Sequence, residues 1–577
     1  MDDLAKTTAI ATMAGNEILA ETFRRAGTKA VFFVPTFLYP TLVTLGDLGI
    51  KRVLCHAEKA AGYMADGYAQ AAGGPGIVIT QGGPGATNLF AGLADAWQSH
   101  TPVIALTPEI PDVRYNGDSY QEVYVDFGTV TKFDAEVRMM HRLPEFLGKA
   151  YRKATCGAPR PVHLYIAGEL EAMTLETDLG EVGDRYFRYP AFRPKADEVD
   201  VQKAAAMLRA SKRPCVVAGR GAIASAAWKE ITTLAERLEM PVTTSLGGKG
   251  SIDERHPLAM GVQGSYRRSS ANDVIDEADL VLYVGSHIGG ATTLLHTIPG
   301  PGVPIIHIDI EPSHPGMNYR TELPLVGDAR TVVQQLLDAL GPVDSAERAV
   351  WAETCRTKRA EWWKSHEKYT TTDASPIRPE RLAVELTRAL PEDAIVVADT
   401  GYAAAWSGAF LDLPEGKNFL ACEGSLGWAF PAGIGAKAAQ PDRPVVVWTG
   451  DGGFWVHFAE LETAVRNEIN VVTVILNNHA LVFDTHLLQA FWSAEHDIDL
   501  LSEFRQVDFA EIAQRMGAFG VRVTDPNAIG EAVRQALAAN KPGVVEVIID
   551  HAAVAPVAFM AGQGSRGGML KDPGKMK

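Results

Sequence analysis

Cysteine is scarce in this chain: five in 577 residues (Cys55, Cys156, Cys215, Cys355 and Cys422), dispersed and without a C-x-x-C pair. An odd, scattered set argues against a disulfide framework and suits buried free thiols in a reducing compartment. Long apolar runs are missing too. None reaches the ~18 residues needed to span a membrane. Positive charge is in deficit, with 54 Lys and Arg against 70 Asp and Glu and a net charge of −16. That balance disfavours nucleic acid or an anionic membrane surface as the main partner, and an anionic substrate would need a local basic site. The opening MDDLAKTTAIATMAGNEIL has no charged-then-apolar leader pattern, so a cytoplasmic protein is expected.

What is present describes a soluble globular protein, with 46% hydrophobic and 21% charged residues. The length exceeds what one hydrophobic core organises, so several domains are expected. Short β-rich runs alternate with helical patterns throughout, which predicts α/β architecture. Three doubly wound segments can be drawn, over 1–185, 195–345 and 376–550. A Gly-rich, locally basic tail follows over 551–577. In the first segment, a helical pattern Met13–Arg25 precedes strand candidates Ala30–Val34 and Gly76–Thr80. The second has strand candidates Cys215–Ala218, Leu280–Val284 and Ile305–Ile310. Residues 346–375 read as a connecting helix. The third has strand candidates Ile395–Ala398, Val445–Trp448 and Val471–Leu476.

Two polar stretches follow apolar strands in the third segment: Thr449-Gly450-Asp451-Gly452-Gly453 and Asn477-Asn478. Both therefore sit at the carboxyl edge of a parallel sheet, where open α/β sheets bind ligands. Asp451 offers a hard carboxylate oxygen and Asn478 an amide oxygen. With a backbone carbonyl and ligand phosphate oxygens they could complete the octahedral shell of Mg²⁺. The flanking glycines let backbone approach phosphates closely, and a helix expected from about Phe458 would aim its positive end at them. A lone GDG or a lone asparagine pair is a common loop. Their separation, 27 residues from Asp451 to Asn478, is more specific.

GDG…NN at this spacing resembles the signature of thiamine-diphosphate enzymes. The stretch His56-Ala57-Glu58-Lys59-Ala60-Ala61 with Asp66-Gly67-Tyr68-Ala69 resembles the same family's H-E-x-x-A…G-Y-A pattern. The resemblance covers nearly the whole chain and implies pyrimidine-binding, middle and diphosphate-binding domains. It makes Glu58 the carboxylate that holds the cofactor's pyrimidine ring in the tautomer able to deprotonate the thiazolium carbon. It makes Asp451, Asn478 and the carbonyl of Ala480 the Mg²⁺ ligands. Gly401, Tyr402, Ala403, Gly450, Gly452 and Gly453 would lie along the diphosphate. The carbonyl of Gly424 would accept from the aminopyrimidine, and Leu426 would wedge between the cofactor rings. The cofactor supplies the organic chemistry, and the protein bends and polarises it. A dimer is the minimum assembly implied, with Glu58 of one subunit facing Asp451 of another; a homodimer or homotetramer is expected.

The nearest group is that of acetolactate synthase, pyruvate oxidase, oxalyl-CoA decarboxylase and 2-hydroxyacyl-CoA lyase. Gly83-Pro84-Gly85-Ala86-Thr87-Asn88 and Tyr120-Gln121-Glu122-Val123 are similar to stretches found there. Two departures count against a biosynthetic acetolactate synthase. Leu487-Leu488 stands where those enzymes carry Trp-Gln, and Gly285-Ser286-His287-Ile288 stands where they carry an Arg-Phe-Asp-Asp stretch beside FAD. Gly219 and Asp309 mark the middle domain as a candidate site for ADP, CoA or FAD. A non-binding structural middle domain is the alternative.

The tail resembles the C-terminal lid of the CoA-ester enzymes. It carries a net charge of +3 over 551–577, with Arg566 and Lys571 placed to meet CoA phosphates. The expectation is therefore a carbon–carbon lyase cleaving, or in reverse forming, a 2-hydroxyacyl-CoA. A 2-oxo-acid decarboxylase or carboligase of the acetolactate synthase type is the alternative. From another class comes a catalytically silent cofactor-binding subunit, against which the presence of Glu58, Asp451 and Asn478 together argues. Candidates for substrate proton transfer are His56, Gln121, His479, His486 and Glu495.

Overall fold

The computed structural model describes residues 10–109, 123–343, 346–491, 497 and 499–557. It contains three six-stranded, wholly parallel sheets, each flanked by helices. The chain forms two compact units. One comprises residues 1–192 with 430–443 and 457–470, and the other comprises 193–429, 444–456 and 471–577.

In the first unit the sheet order is Lys51–Leu54, Ala30–Phe33, Gly76–Ile79, Val103–Pro108, Val162–Ile166 and Asp134–Val137. Its central strands are buried on both faces, as runs such as Gly76-Ile77-Val78-Ile79 require. Met13–Arg25 is not one helix. Ala11–Ala14 is a strand paired antiparallel with Thr174–Thr177, and the helix spans Gly15–Arg25. Helix Glu58–Ala72 packs its small-residue face tightly: a Cβ on Gly67 would strike the carbonyl of Ala432, and one on Gly62 would press on Gly92. Glycine is needed there because helix backbones meet.

The second unit holds two sheets. One runs Ala259–Val262, Val242–Thr244, Pro214–Ala218, Leu280–Val284, Ile305–Asp309 and Leu323–Val326. The other runs Phe419–Ala421, Ile395–Ala398, Val445–Gly450, Val472–Asn477, Gly543–Ile548 and Phe519–Val523. Helix Ala346–Thr370 connects them in sequence, close to the expected 346–375. In both sheets the order runs outward in two directions from the first strand, so crevices open at the carboxyl edge where the order switches.

Between the two sheets of this unit lies a buried ionic cluster. Lys249 Nζ donates to Glu254 (2.6 and 2.5 Å) and to the Leu411 carbonyl (2.6 Å), while Glu254 accepts from the Leu413 N–H (2.9 Å). Arg268 pairs with Asp412 beside it and donates to the Ala409 carbonyl. Lys249 and Arg268 are fully buried. Removing one partner strands a charge away from water, so Lys249→Met is expected to destabilise the folded protein by about 3–5 kcal/mol. Chemical denaturation of the variant checks this, and an unchanged midpoint would contradict it.

Candidate functional site

The end of strand Val445–Gly450 and the end of strand Val472–Asn477 are neighbours in register, with Gly450 opposite Leu476. Each strand therefore delivers its polar terminus to the same edge. Asp451 starts the helix Asp451–His457 there, and the helix expected from about Phe458 is a separate one, Glu460–Arg466. A cavity of about 280 Å³ opens at this edge, walled by Gly401–Ala403, Leu426, Gly450–Gly453, Asn478, Ala480 and Asp484, among others.

The two asparagines divide the labour. Asn477 is fully buried, donates to Glu546 Oε1 (2.6 Å) and accepts the His479 N–H (3.0 Å). It shapes the turn, in which His479 takes a left-handed φ of 61°. Asn478 turns to the cavity, and its Oδ1 is buried with no hydrogen-bond partner. A buried amide oxygen left without a donor is costly unless a ligand satisfies it. Asp451 is 2% exposed. Burial pushes its carboxyl up to about 7, only partly opposed by the N–H groups of Gly452, Ala480 and His479. A desolvated carboxylate beside an orphaned amide oxygen is a donor set suited to a hard cation. Space is reserved as well: a Cβ built on Gly401 or Gly450 would meet nothing within 4 Å.

Behind the cavity, Asp399 pins three loops. Its Oδ1 accepts from the N–H groups of Thr400 (2.9 Å) and Gly427 (3.1 Å), and its Oδ2 from Thr449 Oγ1 (2.8 Å). A Cβ on Gly453 would collide with this carboxylate, so that glycine is fixed by packing from behind. Leu426 stays 38% exposed at the cavity. An apolar side chain held open beside a polar floor is what a wedge between ligand rings needs. Tyr402 donates to or accepts from His486 Nδ1 (2.9 Å). The residues present thus fit a cation-anchored diphosphate with an apolar body.

Glu58 lies in the other unit, as the first residue of helix Glu58–Ala72. Its Oε2 accepts from Asn88 Nδ2 (3.1 Å), and a Cβ on Gly85 would sit 3.4 Å from Oε1. The first turns of helix Pro84–Gln98 therefore lie against the carboxylate. His56 points elsewhere, its ring paired with Glu462 at 2.8 Å.

Several expected residues stand differently. Gly424 lies outside the cavity wall, with a φ of 134°. His479 contributes turn geometry, and among the described residues it is not on that wall. In the middle domain, a Cβ on Gly219 would collide with the Gly285 carbonyl, so this glycine serves strand-to-strand packing. Asp309 accepts from the Glu311 N–H (2.9 Å) and pairs with His314 Nδ1 (3.1 Å). Burial opposes its ionisation, but His307, His314 and that N–H outweigh burial and hold the carboxyl well below the usual range. With Gly219 packed and Asp309 engaged, the geometry gives no support to a nucleotide at this pair. Gln121, Glu495, Arg566 and Lys571 lie outside the described residues, as does most of the tail.

Among the wall residues that escaped sequence reasoning are Asp399, Tyr266, Phe483 and Asp484, the last with its carboxyl raised by burial. Asp399 follows a strand end as Asp451 does, and that position was the available signal. The others sit on the wall through tertiary packing and left no local pattern.

The chain is similar to known proteins over most of its length. The N-terminal thiamine pyrophosphate binding domain of thiamine pyrophosphate enzymes matches residues 13–127, their central domain 201–336 and their C-terminal binding domain 399–547. A probable acetolactate synthase large subunit of Methanocaldococcus jannaschii is 32% identical, over 96% of this chain and 94% of that protein. Acetolactate synthase isozyme 3 large subunit of Escherichia coli is 28% identical, over 93% and 95%. A sulfoacetaldehyde acetyltransferase of Alcaligenes xylosoxydans xylosoxydans is 29% identical, over 91% and 90%. The chain belongs to the thiamine pyrophosphate (thiamine diphosphate) enzymes, within the group that resembles acetolactate synthase large subunits.

Proposed function

We propose that this protein is a thiamine-diphosphate- and Mg²⁺-dependent carboligase that removes carbon dioxide from a 2-oxo acid and joins the retained acyl group to a carbonyl acceptor. The observation that carries the cofactor half is the buried, unsatisfied Asn478 Oδ1 beside the desolvated Asp451 carboxyl. The reaction half is supported by relatives matched end to end, most of them named acetolactate synthase large subunits. They favour this reading over cleavage of a 2-hydroxyacyl-CoA. Leu487-Leu488, on helix Val482–Phe491, points to an acceptor different from that of the biosynthetic synthases.

In this reading Asp451, Asn478 and the Ala480 carbonyl would hold Mg²⁺, whose charge would supply an anchor for the diphosphate. Gly401, Gly450 and Gly452 would let backbone come close to phosphate oxygens, and Leu426 would offer an apolar support for the cofactor rings. Glu58 holds a proton at the pyrimidine nitrogen. The bound cofactor supplies a nucleophilic carbon and an electron sink. Tyr402 and His486, joined at the cavity, orient the acceptor carbonyl or exchange a proton with its oxygen. The minimum assembly is a homodimer in which Glu58 of one copy serves Asp451 of another. Mixing Glu58→Gln with Asp451→Ala chains should then restore part of the lost activity.

The substrate is tested by a paired assay. Full-length enzyme and a form ending at residue 557 each receive pyruvate and a 2-hydroxyacyl-CoA. Release of carbon dioxide from pyruvate by both forms, without thioester cleavage, supports the carboligase. Cleavage of the CoA ester by the full-length form alone would overturn it in favour of a lyase whose basic tail, with Arg566 and Lys571, grips CoA.

A further inference from the structure

The Leu54–Ala57 link between strand Lys51–Leu54 and helix Glu58–Ala72 determines where Glu58 points, yet it contains no side chain that caps the helix. Ala57, the residue before Glu58, is extended and has only a methyl group to offer. The N–H groups of His56 and Ala57 are held instead by a distant helix, Glu460–Arg466, within the same unit. Glu460 Oε1 accepts the N–H of His56 (3.0 Å) and that of Ala57 (3.1 Å). Its Oε2 accepts from Thr463 Oγ1 (2.7 Å), which fixes the rotamer. Arg466 Nη2 donates to the Leu54 carbonyl (2.8 Å), and Glu462 meets the His56 ring.

These contacts differ in worth. The His56–Glu462 pair is half exposed on both sides and contributes little. Glu460 is 1% exposed, and it bonds both N–H groups immediately before Glu58. A buried carboxylate accepting two backbone N–H groups is among the stronger contacts a loop can have. The mechanism assigned above gives Glu460 no other task.

We infer that Glu460 is the positioning residue for Glu58: by clamping the His56 and Ala57 amides it sets the angle at which the Glu58 carboxylate meets the cofactor. This rests on the reading of Glu58 as the pyrimidine-binding carboxylate. It goes beyond that reading by placing the control of its geometry 402 positions away in the chain. The metal end of the cofactor is gripped elsewhere, by Asp451 and Asn478. Loss of Glu460 therefore slows activation while leaving cofactor affinity nearly unchanged. A general packing defect would weaken both.

The test compares Glu460→Ala, Glu460→Gln, Glu58→Gln and the double variant Glu58→Gln/Glu460→Ala with the native holoenzyme. Three quantities are read: thiamine diphosphate affinity by tryptophan fluorescence with Mg²⁺ present, thiazolium proton exchange at saturating cofactor, and amide hydrogen exchange of residues 54–60 without cofactor. Glu460→Ala is expected to free the His56 and Ala57 amides, keep the affinity, and slow thiazolium exchange about 10- to 100-fold, the scale of a misplacement near 1 Å. Glu460→Gln keeps an acceptor oxygen and should restore most of the rate. In the double variant the Glu460 effect should vanish, because a clamp with nothing to position is silent. If Glu460→Ala does not fold, Glu460→Asp, whose shortened arm cannot reach both amides, takes its place and should also slow exchange. Native exchange in the Glu460 variants, or effects that multiply in the double variant, would overturn the inference. Native exchange in Glu58→Gln would instead overturn the reading of Glu58, and the inference with it.

Discussion

Asp451→Ala is expected to abolish retention of thiamine diphosphate, because Mg²⁺ is the proposed positive charge that anchors the diphosphate and Asp451 is its only charged protein ligand in this reading. Without the carboxylate, Asn478 Oδ1 and a backbone carbonyl cannot by themselves offset the cost of stripping water from a cation that dehydrates reluctantly. The same site predicts a pH dependence. In the cation-free protein the Asp451 carboxyl is raised to about 7 by burial, so a proton competes with Mg²⁺ below that pH. Cofactor affinity should fall as the pH drops from 8 to 6. Folding stability should run the opposite way in the cation-free protein. The folded state binds this proton more tightly than the unfolded chain does, so the contribution of Asp451 is lost as pH rises from about 4 through about 7. Titrations with Mg²⁺ at several pH values, and native-like affinity as the contradicting result for Asp451→Ala, decide the matter.

The second large effect is expected at Glu58. Glu58→Gln preserves shape and the contact with Asn88 Nδ2, and it removes the charge that favours a proton on the pyrimidine. Binding should survive, since the metal end is intact. Thiazolium proton exchange should slow by about 10²–10⁴-fold, the usual worth of a positioned acid–base group. Exchange followed by NMR after acid quench measures it directly. An unchanged rate would make Glu58 a helix-terminus acid with no part in activation.

Much of the fold could be read in advance because fully parallel sheets bury their strands on both faces and so write them as continuous apolar runs. Leu280–Val284 forms the strand expected of it, and Ile305–Asp309 ends one residue short. Asp451 and Asn478 could be found for the same reason: each is the polar residue that follows such a run. The reading failed where tertiary contacts decide. Met13 and Ala14 have a helical pattern, yet they pair with Leu175 and Thr174 across the domain. The seven-residue helix Asp451–His457 opens on Asp-Gly-Gly, poor helix formers that leave no helical signal, whereas the segment expected from about Phe458 forms the helix Glu460–Arg466. Nothing in the local sequence marks Glu460, since its partners His56 and Ala57 lie some 400 residues upstream.

The basic tail drew the sequence reading towards a CoA ester, while relatives matched over more than nine-tenths of the chain are named for acetolactate synthesis. Length and end-to-end similarity constrain more than a short charged strip. Among the described residues no helix is long and apolar enough to cross a membrane.

The most direct measurement is calorimetric titration of the apoprotein, stripped with a chelator, with thiamine diphosphate in the presence and absence of Mg²⁺. The account predicts one cofactor bound per chain when Mg²⁺ is present and a large loss of affinity when it is withheld. Tight binding that ignores the metal, or no binding under either condition, would contradict it.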